Sequence, residues 1–177
     1  IRIAGQLAET LAAEGIDCVA GDAVEGYNPS HDVCRLVINA AVRMAGRARG
    51  EPLAAYDFAL VGVPGERAPE LRPRGIRLEL DEQTLARKLE ASRGYDELRG
   101  EVEHTLREFG LAPIRTEYLR AVDVNDRYGG WDPARVPYYE TFGEKRVAEG
   151  VYDRVLRFRE HVQPLADALW RHTEGLG

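Results

Sequence analysis

The spacing of apolar residues predicts a helix and then a strand at the start of the chain. Residues 1–14 place apolar side chains at intervals of four, beginning at Ile3, which is typical of an amphipathic α-helix. Gly15 is suited to the left-handed conformation that often ends a helix. Residues 16–20 then follow as a short strand.

The longest apolar pattern predicts a buried helix between two strands. From Val33 to Met44 the apolar residues recur at i, i+3, i+4, i+7, i+8 and i+11, which is one face of an α-helix. The compact apolar run over residues 58–63 is typical of a strand that is covered on both faces. A strand, a helix and a second strand in this order predict a crossover unit, with residues 16–20 and 58–63 as neighbouring parallel strands.

The rest of the chain alternates loops, strands and helices. Proline, glycine and charged residues over 65–75 and 123–137 predict loops. Periodicity predicts strands over 76–80 and 115–122 and helices over 81–92 and 95–109, of which the first can be capped by Asp81. It also predicts a helical tract over 143–173 that is interrupted at Gly150 and kinked or restarted near Pro164.

Length and charge narrow the class of protein. The 177 residues are enough for one domain with a substantial core. The net charge is −6, and the 24 Lys and Arg residues are interspersed with 30 Asp and Glu residues, so no basic patch indicates nucleic-acid binding. No apolar run is long enough to span a bilayer, and the chain does not open as a signal peptide. These features predict a cytoplasmic protein, in which Cys18 and Cys34 are small buried hydrophobic residues.

The stretch GDAVEGYNPSHDVC, residues 21–34, contains the candidate chemistry. Residues 21–30 form a turn-rich loop that leaves the carboxyl end of a predicted strand, which is where ligands bind in open α/β sheets. His31 stands where this loop becomes a helix, with Ser30 as the expected N-cap. Two interpretations remain open from the pattern alone. Either His31 is an ordinary first-turn surface residue, or it points into a binding site.

The sequence EGYNPSHDVCRLVINAAV resembles the second signature of the LmbE/PIG-L-like family of metal-dependent de-N-acetylases, written Gly-Gly-His-Pro-Asp-His before a helix. The C-terminal stretches RKLEASRGYDELRGEVEH and PYYETFGEKRVAEGVYDRVLRFREHVQPLADAL resemble a bacterial branch of that family. The resemblance therefore extends over nearly the whole chain, although only the first motif carries chemistry.

The resemblance implies roles for three residues of this motif. The family's final histidine is a zinc ligand and corresponds to His31, and a neutral imidazole suits Zn²⁺. The family's first histidine of the motif, which acts as an acid and stabilises the oxyanion, corresponds to Asn28. The motif's aspartate corresponds to Ser30. Asparagine can donate a hydrogen bond to an oxyanion but cannot transfer a proton at neutral pH, so these substitutions weaken the catalytic assignment and leave the metal ligand in place.

The family's other motif, His-Pro-Asp-Asp-Glu, is absent from the 177 residues. In the family it supplies two metal ligands and the catalytic aspartate. Because the chain also begins in mid-helix without Met or a cap, we expect the native N-terminus to lie upstream of Ile1. The resemblance then implies a single domain over residues 1–177, truncated at its N-terminus. Its expected fold is a three-layer Rossmann-like α/β sandwich with a largely parallel sheet that lacks its first strand and helix.

Two functions from different classes follow from these observations. The first is a zinc-dependent hydrolase that removes an N-acyl group, such as acetyl, from a sugar-like small molecule. The second is a catalytically reduced relative that acts in binding or assembly, as the residues at positions 28 and 30 allow. Neither function predicts a nucleic-acid partner or a membrane span.

Other histidines and one cysteine offer weaker alternatives for a site. His31 and Cys34 are three residues apart on a helix and can in principle form a two-ligand metal platform, although Cys34 is better explained as a hydrophobic residue beside the buried stripe. His104 is expected to be solvated and inert. His161 is expected to pack beside an apolar stripe, and His172 to lie in a fraying terminus.

The loop sequence DRYGGWDPARVPYYETFG is rich in glycine and aromatic residues. Trp131, Tyr138 and Tyr139 offer flat faces to a sugar or another ring. They are either part of a substrate lid or a cover for the edge of the core.

Overall fold

The chain is a mixed α/β protein. Its structure is a computed structural model, which describes residues 1–62 and 75–175. It divides into two compact units, the first formed by Ile1–Leu60 and Ala121–Gly177 and the second by Val61–Arg120. The predicted loop over residues 65–75 lies outside the described residues, apart from Gly75. The elements follow one another as α1 (Arg2–Ala13), β1 (Cys18–Asp22), α2 (Pro29–Arg49), β2 (Ala54–Phe58), β3 (Gly75–Glu79), α3 (Glu82–Arg93), α4 (Asp96–Phe109), a 3₁₀ turn (Pro113–Arg115), β4 (Thr116–Ala121), α5 (Tyr138–Ala148), a π-helix (Phe158–Val162) and α6 (Gln163–Glu174).

The first unit contains the predicted crossover. β1 and β2 pair in parallel, with Cys18 opposite Ala54 and Asp22 opposite Phe58. α2 connects the two strands along the chain. The prediction of two neighbouring parallel strands joined by the helix that contains His31 is therefore confirmed. The carboxyl ends of both strands lie side by side, which is where the candidate site forms.

The second strand of the crossover lies earlier in the chain than predicted. β2 is Ala54–Phe58, so most of the apolar run over residues 58–63 follows the strand instead of forming it. Leu60 in that run is 50% exposed. Only Ala55 and Asp57 of β2 are buried, so the expectation of a strand covered on both faces is wrong. Ala55 is small and Asp57 is charged, so a pattern of large apolar residues does not indicate this strand.

The core of the first unit forms where α2 packs against α1 and α6. α1 buries Ala4, Ala8 and Leu11. Ile3, which the spacing placed on the apolar face, is exposed. The aliphatic core is completed by three aromatic rings, those of Trp131, Tyr139 and Phe158.

The C-terminal helical tract is broken more widely than predicted. α5 ends at Ala148, and helical structure resumes only at Phe158. Gly150 has a φ of +72°, a conformation that side-chain-bearing residues rarely adopt. Pro164 lies in the first turn of α6, where proline is favoured because its φ is already helical. The interruption at Gly150 and the restart near Pro164 are thus confirmed.

The second unit combines an antiparallel strand pair with two helices. β3 pairs with β4, with Gly75 opposite Arg120 and Glu79 opposite Thr116. α3 begins at the predicted cap, because Asp81 Oδ1 accepts a hydrogen bond of 2.7 Å from the Thr84 N–H. α3 packs against α4. Among the residues that the structure describes, no helix combines the length and apolar character needed to cross a membrane.

Candidate functional site

His31 pairs with a carboxylate at the carboxyl end of β1. Its Nδ1 lies 2.6 Å from Asp22 Oδ2. Since an ionised carboxylate only accepts hydrogen bonds, Nδ1 donates its hydrogen, and the lone pair of the neutral ring is on Nε2. The His31 side chain is 40% exposed, so the ring is open to solvent. Metal-binding histidines are commonly oriented by a carboxylate in this way.

Arg35 fixes the backbone that carries Asp22. The residue is completely buried in the interior, with 0% exposure. Its Nε donates to the Asp22 carbonyl at 2.6 Å, and its Nη2 donates to the Tyr56 carbonyl at 2.9 Å. A longer bond of 3.5 Å joins Nη1 to Asn39 Oδ1. Arg35 therefore ties α2 to the carboxyl end of β1 and to the middle of β2.

Asp32 closes the loop between β1 and α2. The side chain is buried, and its Oδ1 accepts hydrogen bonds from the Glu25 N–H at 3.0 Å and the Gly26 N–H at 3.3 Å. Burial raises the pKa of the Asp32 carboxyl, while the two backbone hydrogen bonds lower it. The loop conformation beside His31 is thus fixed by the helix that follows it.

The N-cap of α2 is Asn28, so the prediction of Ser30 as the cap is wrong. Asn28 Oδ1 accepts the Ser30 N–H at 2.9 Å, and the helix begins at Pro29. Proline is favoured at this first position because its φ is already helical and its missing N–H would have no helical partner. The cap bond engages Oδ1 of Asn28 and leaves its Nδ2 amide as a hydrogen-bond donor. Ser30 is exposed and contributes its backbone N–H.

Gly26 joins this loop to the core. It has a φ of +65°, and a Cβ at this position would lie 2.2 Å from Trp131 Cη2. Its carbonyl accepts the Tyr139 N–H at 3.4 Å. The Trp131 Nε1 and the Tyr139 hydroxyl are buried, and neither has a hydrogen-bond partner among the described residues. Burial raises the pKa of Tyr139, and the neighbouring Asp32 charge raises it further.

Gly26→Ala is expected to lower the free energy of unfolding by about 2–4 kcal/mol, because it combines a left-handed φ with a clash against a buried ring. Gly15→Ala is the matched control, since Gly15 has a φ of +63° and a Cβ added there would have no atom within 4 Å. Urea denaturation of both variants measures the difference. Equal losses of unfolding free energy in the two variants would show that the Trp131 ring moves aside for the added methyl without an energetic cost.

An aromatic pocket opens beside Asn28. It has a volume of about 430 Å³, and α5 and the segment after it form much of its wall. The rings of Tyr27 and Tyr138 stack with centroids 5.1 Å apart and planes at 5°. The Phe142 ring lies 5.8 Å from that of Tyr138. We call this cavity the aromatic pocket; its lining residues are Tyr27, Asn28, Pro29, Tyr138, Tyr139, Phe142, Gly143, Tyr152, Arg154 and Leu156.

The aromatic residues predicted as a lid separate into two roles. Tyr138 and Tyr139 line the aromatic pocket. Trp131 is only 8% exposed and belongs to the core, where it covers Gly26. Of the two alternatives that the sequence offered, core cover holds for Trp131 and for Tyr139, which is 6% exposed. A lid role for Tyr138 stays a prediction.

Several predictions for the remaining candidates are corrected by the structure. Cys18 and Cys34 are both free and exposed, so neither is a buried hydrophobic residue. The buried face of α2 includes Asp32 and Arg35 but not Cys34, so the cysteine lies on the exposed side of the helix. His161 is also exposed, and its Nδ1 accepts the Arg157 N–H at 3.0 Å.

His104 is solvated, as expected. Its side chain is 68% exposed, and its Nε2 lies 2.9 Å from Glu108 Oε2 one helical turn later. His172 lies within α6, which continues to Glu174. Across residues 1–62 and 75–175, no three His, Cys, Asp or Glu side chains form a group able to hold a metal ion.

Sequence reasoning missed Asp22, Asp32 and Arg35. Asp22 is the last residue of β1, at the carboxyl end of the strand, which is a recognisable position for a site residue. Arg35 lies four residues after His31 on the buried face of α2, which also contains the polar residues Asp32 and Asn39.

Comparisons with protein-family models, with curated proteins and with solved structures found no match to this chain.

Proposed function

We propose that this protein is a zinc-dependent hydrolase that removes an N-acyl group from a sugar-like small molecule, with His31 as a metal ligand. The observation that carries the proposal is the 2.6 Å pairing of His31 Nδ1 with Asp22 Oδ2 at the carboxyl end of β1. That pairing leaves Nε2 as the coordinating atom, as in many histidine metal sites. The resemblance of the surrounding motif to de-N-acetylases supplies the reaction class.

The described residues fit one ligand position of such a site. His31 offers an oriented, solvent-accessible imidazole, and Asp22 and Arg35 hold it through their hydrogen bonds. Bound zinc supplies Lewis-acid polarisation of an amide carbonyl and activation of water. The proposal requires further ligands and a carboxylate base, which the family resemblance assigns to the His-Pro-Asp-Asp-Glu motif.

Asn28 contributes a hydrogen-bond donor in this proposal. Its Oδ1 is engaged by the Ser30 N–H, so its Nδ2 is the group that stabilises negative charge on the amide oxygen. Because an amide cannot transfer a proton, the leaving amine must be protonated by another group. Hydrolysis then adds water across the C–N bond and releases a carboxylate and an amine.

The proposal also includes the complete fold and the cellular compartment of the reaction. We place the parallel β1–α2–β2 crossover in a three-layer Rossmann-like sandwich, which the family resemblance implies and which the parallel pairing supports. We place the reaction in the cytoplasm, because both cysteines are free, as is usual in reducing compartments.

A second candidate is a binding or assembly protein that retains the fold without catalysis. The local bonding of the motif favours it, since Asn28 and Ser30 together cap α2 and thereby have a structural task. The double variant Asn28→His with Ser30→Asp restores the family pattern. A reduced relative with an intact metal site should gain hydrolysis in this variant, whereas an enzyme adapted to Asn28 should stay unchanged or lose activity.

Asn28→Asp is expected to lower kcat by about 100-fold or more, which is typical for losing one oxyanion donor. The substitution keeps an oxygen to accept the Ser30 N–H, so the helix cap and the stability are retained. Asn125→Asp, which makes the same charge change at an exposed site, is the control. The measurement is amine release from a panel of N-acetylated sugars at saturating zinc. Undiminished turnover in Asn28→Asp would exclude the donor role.

A further inference from the structure

The aromatic pocket exposes an unusual amount of ring surface. Tyr27, Tyr138 and Tyr152 are each about half exposed, and Phe142 is 39% exposed. Consecutive rings contact one another, since Tyr138 stacks on Tyr27 and Phe142 meets Tyr152 at 6.5 Å with an angle of 70°. Aromatic faces that remain in water at the rim of a cavity are a common basis for ligand binding.

The parallel stack of Tyr27 and Tyr138 presents a flat outer face. With their centroids 5.1 Å apart, the two rings contact each other and leave no space between them for a third ring. Phe142 also stacks on Tyr138, with centroids 5.8 Å apart and planes at 29°, so Tyr138 lies between two aromatic neighbours. The free end of this row of rings is Tyr27, which is 54% exposed and lines the cavity. A ligand ring can therefore stack on Tyr27. The volume of about 430 Å³ accommodates a monosaccharide or a bicyclic ring together with a small substituent.

Arg154 gives the aromatic pocket a positive charge. The residue is exposed and lines the cavity, and it makes no ion pair within the part of the chain that the structure describes. Two nearby arginines differ in this respect. Arg146, which lies over the Phe142 and Tyr152 rings, bonds to Glu149 at 2.6 Å, and Arg157 bonds to Glu144 at 3.0 Å. No acidic residue is among those that line the pocket.

We propose that the aromatic pocket binds a small molecule that carries both a ring with a flat apolar face and an anionic group, with the ring on Tyr27 and the anion on Arg154. Guanidinium groups pair with carboxylates and phosphates through two parallel hydrogen bonds, so both anions fit. A planar aromatic acid and a sugar phosphate share this chemistry. The binding does not depend on the hydrolysis proposed above.

Two neighbouring carboxylates, those of Asp32 and Glu140, do not repel an anion bound at Arg154. Asp32, in the first turn of α2, accepts two backbone hydrogen bonds and is buried. Glu140, in the first turn of α5, accepts the Phe158 N–H at 2.7 Å and also pairs with Arg157. The charges of both carboxylates are thus compensated within the protein, whereas the Arg154 charge faces the cavity.

The test compares two pairs of probes that differ only in charge within each pair. The first pair is 2-naphthoate and 2-naphthamide, and the second is N-acetylglucosamine 6-phosphate and N-acetylglucosamine. Dissociation constants are measured by isothermal titration calorimetry in EDTA, so that no metal contributes to binding. We expect the anionic member of at least one pair to bind about fivefold more tightly than its neutral partner, which is the upper range for an exposed ion pair. Which pair shows the preference identifies the type of ring.

Two variants with matched controls test the assigned residues. Arg154→Gln is expected to remove the fivefold preference for the anion, while Arg159→Gln, at another exposed arginine, retains it. Tyr27→Ala is expected to weaken both members of the bound pair on the order of tenfold, since it removes the stacking face. Tyr95→Ala removes an exposed tyrosine outside the pocket and should leave binding unchanged. Thermal unfolding by circular dichroism establishes that all four variants are folded.

Three results would overturn the proposal. One is equal affinity for the charged and neutral members of both pairs, and another is an anion preference that survives in Arg154→Gln. The third is the absence of binding by all four probes at millimolar concentration. A loss of hydrolytic activity without any change in these affinities concerns the proposed reaction and not the pocket.

Discussion

Replacing Arg35 with methionine is expected to lower the free energy of unfolding by about 2–6 kcal/mol, because two backbone carbonyls are left without a donor at about 1–3 kcal/mol each. Arg35 is fully buried and donates to the carbonyls of Asp22 and Tyr56. Methionine fills a similar volume but offers no donor, so both partly buried carbonyls lose a partner. β1 and β2 then lose their common attachment to α2.

Arg47→Met is the control for this substitution, because Arg47 is an exposed arginine near the other end of the same helix. Its change in stability should stay within about 0.5 kcal/mol. Equilibrium urea denaturation, followed by circular dichroism, measures both variants. If Arg35→Met is as stable as Arg47→Met, the hydrogen bonds of the buried guanidinium to β1 and β2 do not stabilise the fold.

Substitutions at His31 and Asp22 are expected to produce graded losses of zinc. His31→Ala removes the proposed ligand and should abolish both retained zinc and hydrolysis. Asp22→Asn keeps an acceptor for the His31 Nδ1–H but removes the negative charge, so we expect zinc affinity to fall about 10–100-fold, as is typical when an orienting carboxylate is lost. Competition with a chromophoric chelator measures the two affinities. An unchanged affinity in Asp22→Asn would show that the 2.6 Å pairing does not serve a metal site.

The sequence predicted the crossover well because its signals are local. The apolar spacing from Val33 to Met44 marks α2, and the loop before it marks the end of a strand. A helix between two such strands brings them together in parallel, and β1 and β2 do pair in this way. The cap of α3 at Asp81 is equally local and was also predicted correctly.

The bounds of β2 were predicted less well because its buried residues are not apolar in the usual pattern. Asp57 is 9% exposed, while Leu60 in the predicted strand is 50% exposed. Hydrophobicity therefore indicated the segment after the strand. A buried aspartate in a strand depends on contacts with other parts of the fold, and a single sequence does not contain those contacts.

The sequence indicated two residues of the candidate site but not the side chains that position them. The motif indicated His31 and Asn28, which lie at the start of α2 as expected. The side chains that position them are Asp22, which is nine residues before His31, and Arg35, which bonds across the strands. Such pairings arise only when the chain has folded. The aromatic pocket was indicated in part, since Tyr138 and Tyr139 were singled out but Arg154 was not.

Elemental analysis of zinc is the most direct test of the proposal that His31 is a metal ligand. The protein is expressed from its complete coding sequence and purified without added metal, as the native form, as His31→Ala and as His104→Ala. His104 is an exposed histidine paired with Glu108, so its removal controls for nonspecific binding by imidazole. We expect zinc to be bound to the native protein and to His104→Ala, and little or none to His31→Ala. Equal zinc in the native protein and in His31→Ala would contradict it and would make His31 an ordinary first-turn residue of α2.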